Sequence, residues 1–77
     1  MTNAELNVRY ENKRIGVRNL GGEWFFGKLA YISTTMFPAH GTIAYFGRRP
    51  VYNIDINTIF EYEDRLDIIE GEGRYLE

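Results

Sequence analysis

Few side chains in this sequence belong to the types that carry covalent chemistry. There is no cysteine, one histidine, His40, and one serine, Ser33. A nucleophilic mechanism needs a Ser, Thr or Cys beside a base that a third group orients, and His40 falls in a predicted loop. Carboxylates are numerous near the C-terminus, but a chain this small has little room for an enclosed cleft around them. We therefore expect no catalytic residue and no enzymatic activity.

Neither a metal nor a cofactor is expected. Zinc sites of the Cys/His type need about four nitrogen or sulfur ligands, and this sequence has one histidine and no cysteine. The stretch from Gly22 to Lys28 matches the spacing G-x-x-x-x-G-K of a phosphate-binding loop. However, Leu29 stands where a Ser or Thr would bind Mg²⁺, and no helix is predicted to follow.

Two groups of aromatic and basic residues have the composition of a binding surface. Unpaired bases stack on aromatic rings while Lys and Arg contact phosphates, and Trp, Tyr and Arg are also enriched at protein interfaces. The first group alternates along one predicted strand, and the second surrounds a predicted turn at Gly47. Instead of binding a partner, the rings could pack in the core, and the arginines could belong to a solvated turn. The candidate partner-binding residues are Trp24, Phe26, Lys28, Tyr45, Arg48, Arg49 and Tyr52.

The charges divide the chain into a basic part and an acidic part. Net charge is −2, yet residues 1–53 carry seven basic against three acidic residues, and residues 54–77 carry two against eight. This asymmetry fits a solvated acidic end or head-to-tail association of copies. Because nucleic-acid affinity depends on phosphate contacts, a net acidic chain binds it only where basic residues cluster. The candidate acidic surface comprises Glu61, Glu63, Asp64 and Asp67.

Short strands are the elements that would position these residues. Ile15 and Val17 alternate with polar residues before a Gly-Gly turn, and further strands are predicted at 23–33, 42–46, 51–56 and 59–62. Gly27 interrupts the aromatic strand and predicts a sharp bend there. Five to six strands with turns every 8 to 12 residues predict an all-β fold, a single small, strongly bent barrel.

Two segments remain ambiguous at this stage. Apolar residues alternate from Leu6 to Tyr10 as in a strand, whereas Thr2 and Glu5 have the spacing of a capping box. Residues 2–12 are therefore a strand or a short N-terminal helix. Residues 66–69 are likewise an edge strand or a helical turn.

The length of 77 residues allows one domain, residues 1–77, with a frayed acidic tail from about residue 70 to 77. Small cores without disulfides or metals are often reinforced by oligomerisation, so we expect a homo-oligomer. No signal peptide and no apolar stretch of about 18 residues is present, which predicts a cytoplasmic protein without a membrane partner.

The glycine-interrupted aromatic strand resembles the first motif of Sm-like proteins, which are small SH3-like β-barrels. The matching residues are Ile15, Val17, Gly22, Phe25, Gly27, Leu29 and Ile32, and residues 52–62 could supply the two short closing strands. Ser33 stands where an aspartate is usual, and the Arg-Gly or Lys-His pair that contacts RNA is absent near Ile56. The resemblance covers about residues 8–62 and implies the barrel fold more than RNA binding.

Composition and motifs together predict a small binding module of bacterial or phage type. We expect it to act through protein–protein interaction or self-assembly. Two alternatives remain open: an Sm-like protein that binds RNA or other single-stranded nucleic acid, and a small acidic inhibitor that mimics nucleic acid.

Overall fold

A computed structural model describes residues 2–34, 41–63 and 73–76 of the chain. These residues form a mostly β domain with one short N-terminal helix. The four-stranded sheet has the order β6-β1-β2-β7, and the three-stranded sheet has the order β3-β4-β5. The elements are α1 (Asn3–Tyr10), β1 (Arg14–Asn19), β2 (Trp24–Lys28), β3 (Tyr31–Thr34), β4 (Thr42–Phe46), β5 (Arg49–Val51), β6 (Ile54–Glu61) and β7 (Gly73–Tyr75).

The N-terminal segment is a helix because its capping box forms. The Glu5 N–H donates to the Thr2 hydroxyl at 3.1 Å, and the Thr2 N–H donates to Glu5 Oε1 at 3.3 Å. Two N–H groups that lack a partner inside the helix are thereby satisfied. The hydrogen bond from the Thr2 backbone, and then that from its hydroxyl, hold the pKa of the Glu5 carboxyl below its ordinary value of 4.5.

The predicted long strand at 23–33 is divided between the two sheets. The Leu29 N–H donates to the Lys13 carbonyl at 2.9 Å, whereas the Ala30 N–H donates to the Tyr45 carbonyl at 2.8 Å. The change of sheet therefore lies at Leu29–Ala30, two residues after Gly27, which belongs to β2. Gly27 instead gives room to a neighbouring ring, since a Cβ there would lie 3.0 Å from Phe46 Cδ1.

The described residues form two open sheets, so the expected closed barrel is not found. The chain passes between the sheets at Leu29–Ala30 and again at Tyr52–Asn53, where the Leu20 N–H donates to the Asn53 carbonyl at 2.8 Å. At the first of these passages, the N–H groups of the consecutive residues Leu29 and Ala30 donate to different sheets. The ladder of hydrogen bonds is interrupted there, and the polypeptide itself connects the two sheets.

One apolar core lies between the two sheets. Ile15, Val17 and Leu29 have no exposed surface. Such complete burial of branched side chains is the main stabilising contribution in a domain of this size. The other buried members of this cluster are Leu6, Ile32, Ala44, Phe46, Val51 and Ile54.

The sequence predicts a frayed acidic tail from about residue 70, but the described part of this tail, residues 73–76, is hydrogen-bonded to β2. Gly73–Tyr75 pairs in parallel with β2, and the Leu76 N–H donates to the Phe26 carbonyl at 2.7 Å. Gly73 permits this approach, because a Cβ there would lie 2.6 Å from the Trp24 carbonyl oxygen. His40, the segment 66–69 and the remainder of the tail at 70–72 and 77 lie outside the described residues.

Candidate functional site

The outer face of the four-stranded sheet, opposite the main core, carries a cluster of aromatic rings. Gly16 lies opposite Phe26 on β2 and opposite Phe60 on β6. Since Gly16 has no side chain, both rings lie above it, and a Cβ there would be 2.5 Å from Phe60 and 2.8 Å from Phe26. The aromatic face consists of Trp24, Phe26, Phe60, Tyr62 and Tyr75.

Phe26 forms the centre of the aromatic face. Its ring stacks with Trp24 at 6.1 Å and an interplanar angle of 8°, and Tyr75 lies 5.4 Å away. Phe60 meets Trp24 edge-on at 5.9 Å. Phe26 and Tyr62 are almost fully buried, whereas Trp24 is half-buried and Phe60 retains 36% of its surface exposed. The inner rings therefore hold in place the two rings that a ligand can touch.

Exposed cations share this face with the rings. The β1–β2 register places Arg14 opposite Lys28 and Arg18 opposite Trp24. Residues two apart on a strand point to the same side, so Arg14, Arg18 and Lys28 flank the aromatic rows. The alternation of Trp24, Phe26 and Lys28 seen in the sequence is thus realised on one strand face. All three cations are exposed.

A groove of about 610 Å³ adjoins the aromatic face at the end of β2. We define the basic groove by its three cations, Lys28 from β2 and Arg48 and Arg49 from the turn between β4 and β5. Its lining is equally polar and apolar, and the buried residues Leu29 and Phe46 lie beneath it. Lys28 lines this groove and also lies on the same side of β2 as Trp24 and Phe26.

The remaining two candidates, Tyr45 and Tyr52, lie away from the basic groove. Tyr45 stacks on Tyr31 of the neighbouring strand at 4.5 Å and 12°. Tyr52 lines a second groove of about 580 Å³ together with Leu20 and Pro50, and none of the described residues that line it is charged. We call this second site the uncharged groove. The second sequence group is therefore distributed over three separate places.

The candidate acidic surface is only partly described. The Glu61 carboxylate pairs with the Lys13 ammonium at 3.8 Å, and Glu63 is exposed. Asp64 and Asp67 lie outside the described residues. Within the described ranges, no three His, Cys, Asp or Glu side chains come together in a way that could hold a metal ion. No helix in that part of the chain has the length and apolarity to cross a membrane.

Sequence reasoning missed five residues of this site. Phe60 and Tyr62 alternate on a predicted strand and could have been placed on one face, as could Arg14 and Arg18. Tyr75 gave no usable signal, because its position depends on parallel pairing with a strand far away in sequence. Comparison with family models, curated proteins and solved structures finds no match.

Proposed function

We propose that this chain is a non-enzymatic binding module that binds single-stranded nucleic acid on its aromatic face. The observation that carries the proposal is the shared placement of the half-buried Trp24 ring and the partly exposed Phe60 ring with the cations Arg18 and Lys28 on one side of a sheet. Bases offer flat π surfaces to the rings, and phosphates offer charge to the cations.

Single strands fit this surface better than duplexes. In a duplex the bases stack on each other, so their faces are unavailable to protein rings, whereas unpaired bases can stack on aromatic side chains. The clustering of Lys28 with Arg48 and Arg49 also meets the condition that a net acidic chain must satisfy. We therefore propose nucleic acid as the partner, in place of the protein partner that the composition favoured.

We also propose that the fold is SH3-like, and this proposal is based on the order of the strands. A strand follows the turn at Gly22, and the chain then bends at Leu29–Ala30 into a second sheet. The two short closing strands expected within residues 52–62 are instead one strand, β6, which follows the shorter β5 after a two-residue turn. The resemblance to Sm-like proteins is therefore supported by the bend into a second sheet and not by the closing strands.

Trp24 is the only tryptophan and provides the direct test. Titration with an oligouridine of roughly ten nucleotides, within the usual site sizes of single-strand binders, should quench Trp24 fluorescence. Phe60→Ala should weaken binding by about 1–3 kcal/mol, the usual value of one base stacked on a ring.

Tyr31→Ala is the matched control for this experiment, because it removes an exposed ring from the other sheet. Labelled oligouridine followed by anisotropy should give wild-type affinity for this variant. Equal losses for Phe60→Ala and Tyr31→Ala, or no change in Trp24 emission at low salt, would contradict the proposal.

The uncharged groove favours a second candidate function, self-association or binding of a protein partner. Leu20 is 72% exposed and Tyr52 is 45% exposed in a groove without charged residues. Exposed apolar surface of this kind is typical of sites that are covered by another protein. The acidic-inhibitor alternative has less support, because Glu61 is already paired with Lys13.

A further inference from the structure

We infer that the basic groove is a phosphate subsite, into which a single-stranded nucleic acid continues from the aromatic face across Lys28. This inference rests on the proposed function and specifies how the ligand runs over the molecule. Bases would lie against Trp24 and Phe60, and the backbone would turn into the space between Lys28 and the β4–β5 turn. The ligand is therefore an oligonucleotide that occupies two adjoining sites.

The first support is the charge of the groove. Three cationic side chains line it, and none of the described residues of its lining is an Asp or a Glu. Among the described residues, none of these cations forms an ion pair with a carboxylate. Like charges held together in one groove concentrate a positive potential, which attracts an anionic ligand. An occupant rich in phosphate complements this charge.

The second support is the position of the turn that brings the arginines to the groove. Gly47 adopts a φ of +66°, a value that glycine reaches without steric cost. This turn joins β4 to β5 and directs Arg48 and Arg49 towards the end of β2. Arg49 lies opposite the buried Phe46 across the two strands, and both residues line the groove.

The third support is the distance between the two sites. A strand rises about 3.3 Å per residue, so Trp24 and Lys28 are roughly 13 Å apart along β2. Stacked nucleotides advance about 3.4 Å each. A mononucleotide cannot reach from the rings to the arginines, whereas a chain of several nucleotides can.

A nucleic acid also uses the site more completely than an acidic peptide does. Carboxylates of a peptide would satisfy Lys28 and the arginines but would leave the accessible surface of the Trp24 and Phe60 rings in water. A ligand that alternates flat bases with anionic groups engages both. The nearness of rings and cations therefore favours nucleic acid as the occupant.

The salt dependence of binding tests the phosphate subsite. Each phosphate contact of a single strand contributes about 0.7 to the slope of log K against log salt. The double variant Arg48→Ala with Arg49→Ala should therefore lower the slope by about 1.4. Over a fourfold rise in salt, this variant should lose about sevenfold less affinity than the wild type.

Arg9→Ala with Arg74→Ala is the control, because it removes the same charge from residues that do not line the groove. Its slope should remain that of the wild type. With a dinucleotide in place of the longer oligouridine, the wild type and the Arg48/Arg49 variant should give equal slopes, since the ligand no longer spans both sites.

The possible failures are distinguishable from one another. An unchanged slope in the Arg48/Arg49 variant, with quenching of Trp24 retained, would overturn the subsite and leave the proposed function standing. An oligoglutamate that displaces the oligouridine at equal concentration would overturn nucleic acid as the occupant. Absence of Trp24 quenching in the wild type would overturn both proposals.

Discussion

Gly16 shows how a single residue can determine a surface. It lies in the middle of β1 between Phe26 and Phe60, and the rings of both neighbours occupy the space that a side chain would need. Stacked and edge-on contacts between such rings add to the burial of their area. The aromatic face therefore depends on the absence of a side chain at this position.

We predict that Gly16→Ala destabilises the protein by about 1–3 kcal/mol, the usual cost of overpacking a filled site. The new Cβ would lie within 2.8 Å of both rings, so Phe60 or Phe26 must move. Urea unfolding followed by Trp24 fluorescence measures the change. Gly21→Ala is the control, because a Cβ there would meet only Asn19, at 3.4 Å; equal midpoints for the two variants would contradict the prediction.

Part of the site could be predicted residue by residue. The alternation of Trp24, Phe26 and Lys28 requires only the two-residue period of a strand, and the structure agrees with it. The presence of Lys28, Arg48 and Arg49 in one groove could not be predicted, because it depends on the position of a distant turn relative to the end of β2. Local periodicity gives the face of a strand but not its neighbours.

At the scale of elements, the helix α1 protects the edge of the smaller sheet. The Asn7 amide donates to the Ile32 carbonyl at 3.0 Å, and the Ile32 N–H donates to Asn7 Oδ1 at 2.6 Å. The side chain of Asn7 thus takes the place of a neighbouring strand along β3. Unpaired strand edges promote association with other chains, so this contact also limits non-specific pairing.

We predict that Asn7→Ala destabilises the domain by about 1–3 kcal/mol, because it leaves partly buried backbone groups of Ile32 without partners. Thermal and urea unfolding would measure the loss. Asn57→Ala changes an exposed asparagine on β6 and should have little effect. An Asn7 variant as stable as the Asn57 variant would mean that water replaces the lost hydrogen bonds.

The helix also illustrates why sequence patterns left residues 2–12 undecided. Alternation from Leu6 to Tyr10 suggested a strand, yet only Leu6 is buried and Val8 is 85% exposed. The capping box and the two hydrogen bonds of Asn7 stabilise the helix instead. Similarly, Gly27 was a reasonable site for a bend, but the neighbouring Phe46 ring accounts for the glycine, and the change of sheet occurs two residues later.

At the scale of the whole molecule, two grooves with different character lie on one small domain. The basic groove is lined by cations, and the uncharged groove exposes Leu20 and Tyr52. Separate surfaces of this kind allow a chain to bind a ligand and to associate with a protein at the same time. Under the proposed function, charge would separate the two kinds of partner, since the described cations line the first groove and not the second.

If the uncharged groove joins copies of this chain, light scattering should give a mass above that of the 9.0 kDa monomer. Leu20→Ser with Tyr52→Ser should return the protein to a monomer, because it removes the exposed apolar surface of the groove. Val8→Ser is the control, since Val8 is exposed but lies on the helix. A wild type that is monomeric at every concentration would remove self-association and leave another protein as the partner.

The strand order has a further consequence, for the time course of folding. The hairpin β1–β2 forms from residues close in sequence, but its two outer neighbours, β6 and β7, come from the last part of the chain. The four-stranded sheet is complete only when Gly16 pairs with Phe60 and Trp24 pairs with Gly73. Such distant pairings require large loops to close before they are stabilised, and they place a domain among slow folders, on the order of milliseconds to seconds.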